Sequence, residues 1–199
     1  MSSDVAVAGA DGQMDPFGRA TPGKVGMWIF LVTDALMFGG LLIAYASLRA
    51  WSRGWPVPSS VLNIPLTGFN TFLLICSSVS MVLAVEAAEG RDRRRTMRML
   101  GATIGGGVAF LLIQAYEYSH LVHHGLTLTS SLFGSTFYTL TAFHGAHVFS
   151  GVVYLTLTLA GVARGGLLEP GDHRIEIAGL FWHFVDLIWI LIFTFVYLI

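Results

Sequence analysis

Residues 25–48 read VGMWIFLVTDALMFGGLLIAYASL, and Asp34 is the only acidic or basic side chain among them. An α-helix rises about 1.5 Å per residue, so roughly 20 apolar residues cross a hydrocarbon core about 30 Å thick. Four further runs meet that requirement, at 65–88, 99–122, 136–162 and 179–199. Lipid offers the backbone no hydrogen-bond partner, so each run must satisfy its own N–H and C=O groups as a helix. Their continuity also departs from the alternating pattern of a barrel strand. The fold class read from this is all-α: a polytopic membrane protein, a bundle of five transmembrane helices over 24–199. Residues 1–23, small and polar with Pro16, Gly18 and Pro22, precede the first run and read as a mobile cytoplasmic arm, not a cleaved signal peptide.

Composition agrees. The chain is 54% hydrophobic with mean hydropathy +0.69, and 12% of its residues are charged against roughly 25% in an ordinary soluble domain. A net charge of -1, with the arginines clustered between apolar runs, excludes a nucleic-acid partner. Cys76 is the one cysteine, so no intramolecular disulfide can form. The 11 lysines and arginines fix an orientation. Arg19 and Lys24 precede the first span, Arg91, Arg93, Arg94, Arg95 and Arg98 join the second to the third, and Arg164 and Arg174 join the fourth to the fifth; only Arg49 and Arg53 fall on the opposite side. The positive-inside rule then places the N-terminus in the cytoplasm and the C-terminus outside. Gly39, Gly40, Gly145, Gly151 and the run at Gly101 and Gly105 through Gly107 are read as faces of close helix packing, Gly101 and Gly105 as a GxxxG pair.

Ionisable groups in hydrocarbon cost at least ~2.5 kcal/mol each on insertion scales, so each needs a partner or a role. Asp34 lies in the first span, Glu117 and His120 form an i, i+3 pair in the third, His144 and His147 another in the fourth, and His183 and Asp186 a third in the fifth. Residues three apart share a helix face, so each pair is expected to project together. Glu86 sits at the inner end of the second span, where it can snorkel or meet the arginine cluster. Glu117 and His120 copy one Glu-x-x-His half of a di-iron bundle, but that site needs two such motifs and two further glutamates. One or two histidines would serve a haem. Alternatively Asp34 is a protonatable carboxyl exchanging with water or a partner, or it donates a structural hydrogen bond as a neutral acid.

GSTFYTLTAFHGAHVFSG (134–151) and FWHFVDLIWILIF (181–193) resemble the two most characteristic segments of cytochrome c oxidase subunit III. YEY (116–118), LNIPLTGFNTFLLICSSVS (62–80) and EGRDR (89–93) resemble its remaining motifs in the same order, so the likeness covers 23–199. Asp34 occupies the position of the family carboxylate that reacts with hydrophobic carbodiimide, while Val85 and Glu86 stand where many members carry a His pair. The family helix bearing that carboxylate is the third in seven-helix members, so the resemblance implies a five-helix bacterial form lacking the first two. It also implies a non-haem accessory subunit in the bacterial inner membrane that binds no metal or other cofactor itself. Haem and copper would lie in partner subunits, and the chain would pack directly on subunit I, beside subunit II and other respiratory-complex subunits. Bound phospholipid is expected, with Arg164 meeting an anionic headgroup, along with a role in proton uptake and turnover stability. On this reading Glu117, His120, His144, His147, His183 and Asp186 are buried packing groups, and Asp34 is the candidate proton relay. A subunit-III-like accessory of nitric oxide reductase and a stand-alone proton or solute channel are the alternatives.

Overall fold

The computed structural model describes residues 21–169 and 171–199. Helix α1 spans Pro22–Trp51 and the single turn α2 Pro58–Val61; the long helices α3, α4 and α5 span Ile64–Glu89, Arg93–His123 and Leu132–Ala163. Helix α6, Arg174–Ile192, continues into a π-helical end at Phe193–Leu198. Five of these segments are long and apolar enough to cross a membrane. Among the described residues there is no strand.

The helices start where local chemistry starts them. Asn63 Oδ1 accepts from Leu66 N at 3.2 Å, Asp92 Oδ1 from Arg95 N at 3.0 Å, and Ser131 Oγ from Gly134 N at 3.0 Å. Each cap satisfies one of the amides that a helix N-terminus leaves free. Pro22 and Pro65 stand in the first turns of α1 and α3, where a missing N–H costs nothing. Each helix runs a few residues past its apolar run, because the backbone stays helical through the headgroup region. Of the arm expected over 1–23, Pro22 and Gly23 belong to α1, while residues 1–20, with Arg19, lie outside the described residues. The turn α2 had no apolar signal to announce it.

Helices α3, α4, α5 and α6 pack in a closed ring, each touching the next and α6 returning to α3, while α1 lies outside the ring against α5 and α6. Helix α6 therefore carries the core. Trp182 and Trp189 are fully buried there, and Phe110, Phe137 and Tyr197 pack nearby. Phe110 meets Trp189 edge-on with centroids 4.8 Å apart.

Of the glycines expected at packing faces, only some are used for close approach. A Cβ at Gly39, Gly40, Gly101, Gly105 or Gly145 would meet nothing within 4 Å, so the GxxxG pair faces outward. Close approach does occur at three of the expected positions: Gly106, whose Cβ would stand 2.7 Å from Ser77 Cβ, and Gly107 and Gly151, which lie against the indole of Trp182. The sequence run alone could not separate them, because adjacent residues are turned by about 100° around a helix and face different neighbours.

Candidate functional site

The polar interior is assembled from five elements. From α1, Asp34 is 7% exposed and faces His147 of α5, with Oδ1 3.3 Å from Nε2. The other imidazole nitrogen, Nδ1, lies 2.8 Å from Phe143 O. A carbonyl only accepts, so Nδ1 carries hydrogen and donates. That leaves Nε2 as the nitrogen turned toward the Asp34 carboxyl.

One turn away, His144 is fully buried and its Nε2 lies 3.1 Å from Val185 O. The same reasoning makes Nε2 the donor. The ring also rests on Trp189, with centroids 4.8 Å apart.

On α4, Glu117 is 4% exposed. Its Oε1 accepts from Thr67 Oγ1 at 3.0 Å and its Oε2 from Tyr197 OH at 3.4 Å, which ties α3, α4 and the π-helical end together. Gln114, one turn deeper, donates from Nε2 to Tyr118 OH at 3.1 Å and to Thr141 O at 3.4 Å. Asn70 of α3 donates to Phe110 O at 3.3 Å. A second group lies between α3 and α6. There Ser78 Oγ is 2.7 Å from His183 Nδ1, and Trp182 and Trp189 donate to Ser77 and Thr71 at 3.1 and 2.9 Å. Asp186 is buried beside them.

Two of the three i, i+3 pairs divide. Glu117 points inward while His120 is exposed, stacked between Tyr116 and His124. His144 faces α6 while His147 faces α1. His183 and Asp186 stay on one side of α6. A three-residue spacing subtends about 300° on a 3.6-residue helix, a 60° offset that suffices to separate two neighbours where three helices meet. Glu86 reaches Arg95 at 3.6 Å, and Arg164 is exposed as the C-cap of α5. Arg93, read from the sequence only as one of the basic residues that set the orientation, donates to the terminal carbonyls of α5, at 3.1 Å to Val162 O and also to Ala163 O. Asn70, Gln114, Thr67 and Tyr197 were likewise missed; Gln114 could have been found from its i, i-3 relation to Glu117. Among the described residues no group of three or more His, Cys, Asp or Glu side chains is placed to hold a metal ion.

Fold and site together define a polytopic membrane protein in which Asp34, Glu117, His144, His147 and His183 are turned into a helix bundle and meet hydroxyls, backbone carbonyls or one another. Comparison with known proteins carries this further. The family model for cytochrome c oxidase subunit III matches residues 17–199. Cytochrome c oxidase subunit 3 of Corynebacterium diphtheriae is 37% identical over 88% of this chain and 87% of its own length. The probable cytochrome c oxidase subunit 3 of Mycobacterium leprae is 35% identical over the whole of both chains. Subunit 3 of the cytochrome bo(3) ubiquinol oxidase of Pseudomonas aeruginosa is 33% identical over 87% of this chain and 83% of its own. The chain belongs to the cytochrome c oxidase subunit III family.

Proposed function

We propose that this chain is the non-haem accessory subunit of a bacterial haem-copper terminal oxidase, packed directly on catalytic subunit I with subunit II and other respiratory-complex subunits nearby. The observation that carries this reading is the family match, which runs through all five spans. Electron transfer, O2 reduction and proton translocation belong to the partner, with its haem and copper. This chain contributes scaffold, lipid contact and support of proton uptake. Its orientation in the inner membrane is N-terminus cytoplasmic and C-terminus external, supported by the split of basic residues. Arg164, exposed at the end of α5, is the proposed contact for an anionic phospholipid headgroup, worth about 1 kcal/mol per basic residue at such a surface.

Asp34 and His147 are the proposed proton-exchanging pair, and Glu117, His144 and His183 hold the bundle through the bonds described above, with Asp186 packed beside His183 on α6. The test is affinity purification of the tagged chain from membranes solubilised in mild detergent, followed by reduced-minus-oxidised spectra. Haem signals should accompany the chain and disappear when it is separated from its partners. A chain that purifies free of haem-bearing subunits under conditions that leave the oxidase active would contradict the proposal.

A further inference from the structure

Among the buried polar atoms with no hydrogen-bond partner in the described residues, which also include Asp186 Oδ1 and Tyr45 OH, four lie between α1, α3, α4 and α5: Asn70 Oδ1, Gln114 Oε1, His144 Nδ1 and Asp34 Oδ2. The first three share one chemistry. Each amide nitrogen, and His144 Nε2, faces a backbone carbonyl and must donate, so Asn70 Oδ1, Gln114 Oε1 and His144 Nδ1 are all left as acceptors. Buried acceptors without a donor are rare, and the donor that meets them in protein interiors is ordered water.

These acceptors form a staircase. Glu117 to Gln114 is three residues of α4, and Thr141 to His144 to His147 two further three-residue steps of α5, each descending about 4.5 Å. Gln114 joins the two flights through its bonds to Tyr118 and Thr141. At the top, a cavity of about 220 Å3 lined by Ser60, Asn63, Tyr116, Glu117 and His120 opens at the end of the bundle where α3 begins and α4 finishes. At the bottom stands the Asp34–His147 contact with Asp34 Oδ2 free. On α1 the staircase stops there, since Leu31 is the only other buried side chain between Asp34 and Lys24.

We propose that a file of internal water connects the cavity at Glu117 to the Asp34–His147 pair by way of Gln114, Asn70 and His144, giving that pair proton exchange with the aqueous phase on the Glu117 side. Titratable groups turned toward the file are Glu117 and Tyr118 from α4, His144 and His147 from α5, Tyr197 from the π-helical end and Asp34 from α1. Along it each O–H bond broken is matched by one formed. The net change is one proton lost from the cavity and one gained by the pair. The file is a property of the bundle and does not depend on which subunit covers it.

Hydroxyl radicals generated from bound water by microsecond X-ray pulses modify the side chains beside that water, and a brief prior mix with H2(18)O shows whether the water exchanges with bulk. The native complex in its membrane is the sample. Phe110 and His144, although fully buried, should be modified severalfold faster than the equally buried Met81 and Leu155, and should carry 18O. Gln114→Leu should reduce modification of His144 severalfold and leave exposed Tyr116 unchanged. Phe110 and His144 as unreactive as Met81 and Leu155, or modified without 18O, would overturn the proposal, and this wild-type comparison needs no variant to fold. Its failure would leave the assembly with an oxidase untouched, because co-purification reads that separately.

Discussion

Replacing Gly107 by Ala isolates the contact on which the bundle's close packing rests. The new Cβ would fall inside contact distance of Trp182 Cη2 and stand 2.8 Å from Val152 Cγ2. The indole cannot retreat. The same six-membered ring lies against Gly151 on α5, where there is room only because that residue also lacks a side chain, and its Nε1 donates to Ser77 Oγ at 3.1 Å. Overpacking of this kind costs about 1–3 kcal/mol, and a loss of one or two lowers the folded-to-unfolded ratio by a factor of about 5–30. Gly101→Ala and Gly105→Ala are internal controls, since their Cβ atoms meet nothing within 4 Å, and both should be neutral or slightly stabilising through the better helix propensity of Ala. The assay is reversible unfolding in mixed micelles, followed by tryptophan fluorescence and far-ultraviolet circular dichroism. Equal destabilisation by all three substitutions, or a neutral Gly107→Ala, would refute the packing assignment.

Tyr197→Phe deletes the hydroxyl that reaches Glu117 and should destabilise the bundle by about 1 kcal/mol, read in the same unfolding assay. Arg93→Met removes the donor to the last carbonyls of α5 and should cost about 0.5–1 kcal/mol, with faster amide exchange confined to the end of that helix. Asp34→Asn keeps a hydrogen-bonding group against His147 but removes the titratable proton; assembly should be retained, hydrophobic carbodiimide should no longer label this position, and O2 reduction by the complex should stay within about tenfold of wild type, ~1.4 kcal/mol in the barrier. In the loop before α6, the Arg174 guanidinium beside Asp172 holds that carboxyl below its ordinary value. The stability it contributes is present above the unfolded-state pKa and is lost as pH falls through the lowered folded-state value. Protection of the Arg174 amide, which donates to Asp172 Oδ1 at 3.0 Å, should therefore hold from neutral pH into the acid range and fail only below ordinary aspartate titration.

Much of the architecture was legible because lipid leaves the backbone so few choices. A run such as 65–88 can only be a helix there, and the structure starts it one residue earlier, at Ile64, on the Asn63 cap. What stayed hidden depends on rotation about each helix axis. Gly105 and Gly106 are neighbours in sequence, yet one faces open space and the other Ser77. Glu117 and His120 satisfy a same-face rule, yet only Glu117 enters the core. Asn70 and Gln114 were overlooked because uncharged amides are inexpensive enough in a helix to pass as packing. Their importance appears only when α3, α4 and α5 converge and leave an acceptor on each without a protein donor. The pairing of His147 with Asp34 was similarly invisible, since a contact between α1 and α5 joins positions more than a hundred residues apart in the sequence.

Native mass spectrometry of the complex released gently from its own membrane tests the proposed assembly most directly. The expected result is a single assembly in which one copy of this 21.6 kDa chain accompanies a haem-bearing catalytic subunit, and from which dissociation releases the chain with no haem mass attached. A chain that appears only as itself or as a homo-oligomer, beside an intact oxidase lacking it, would contradict the accessory-subunit assignment.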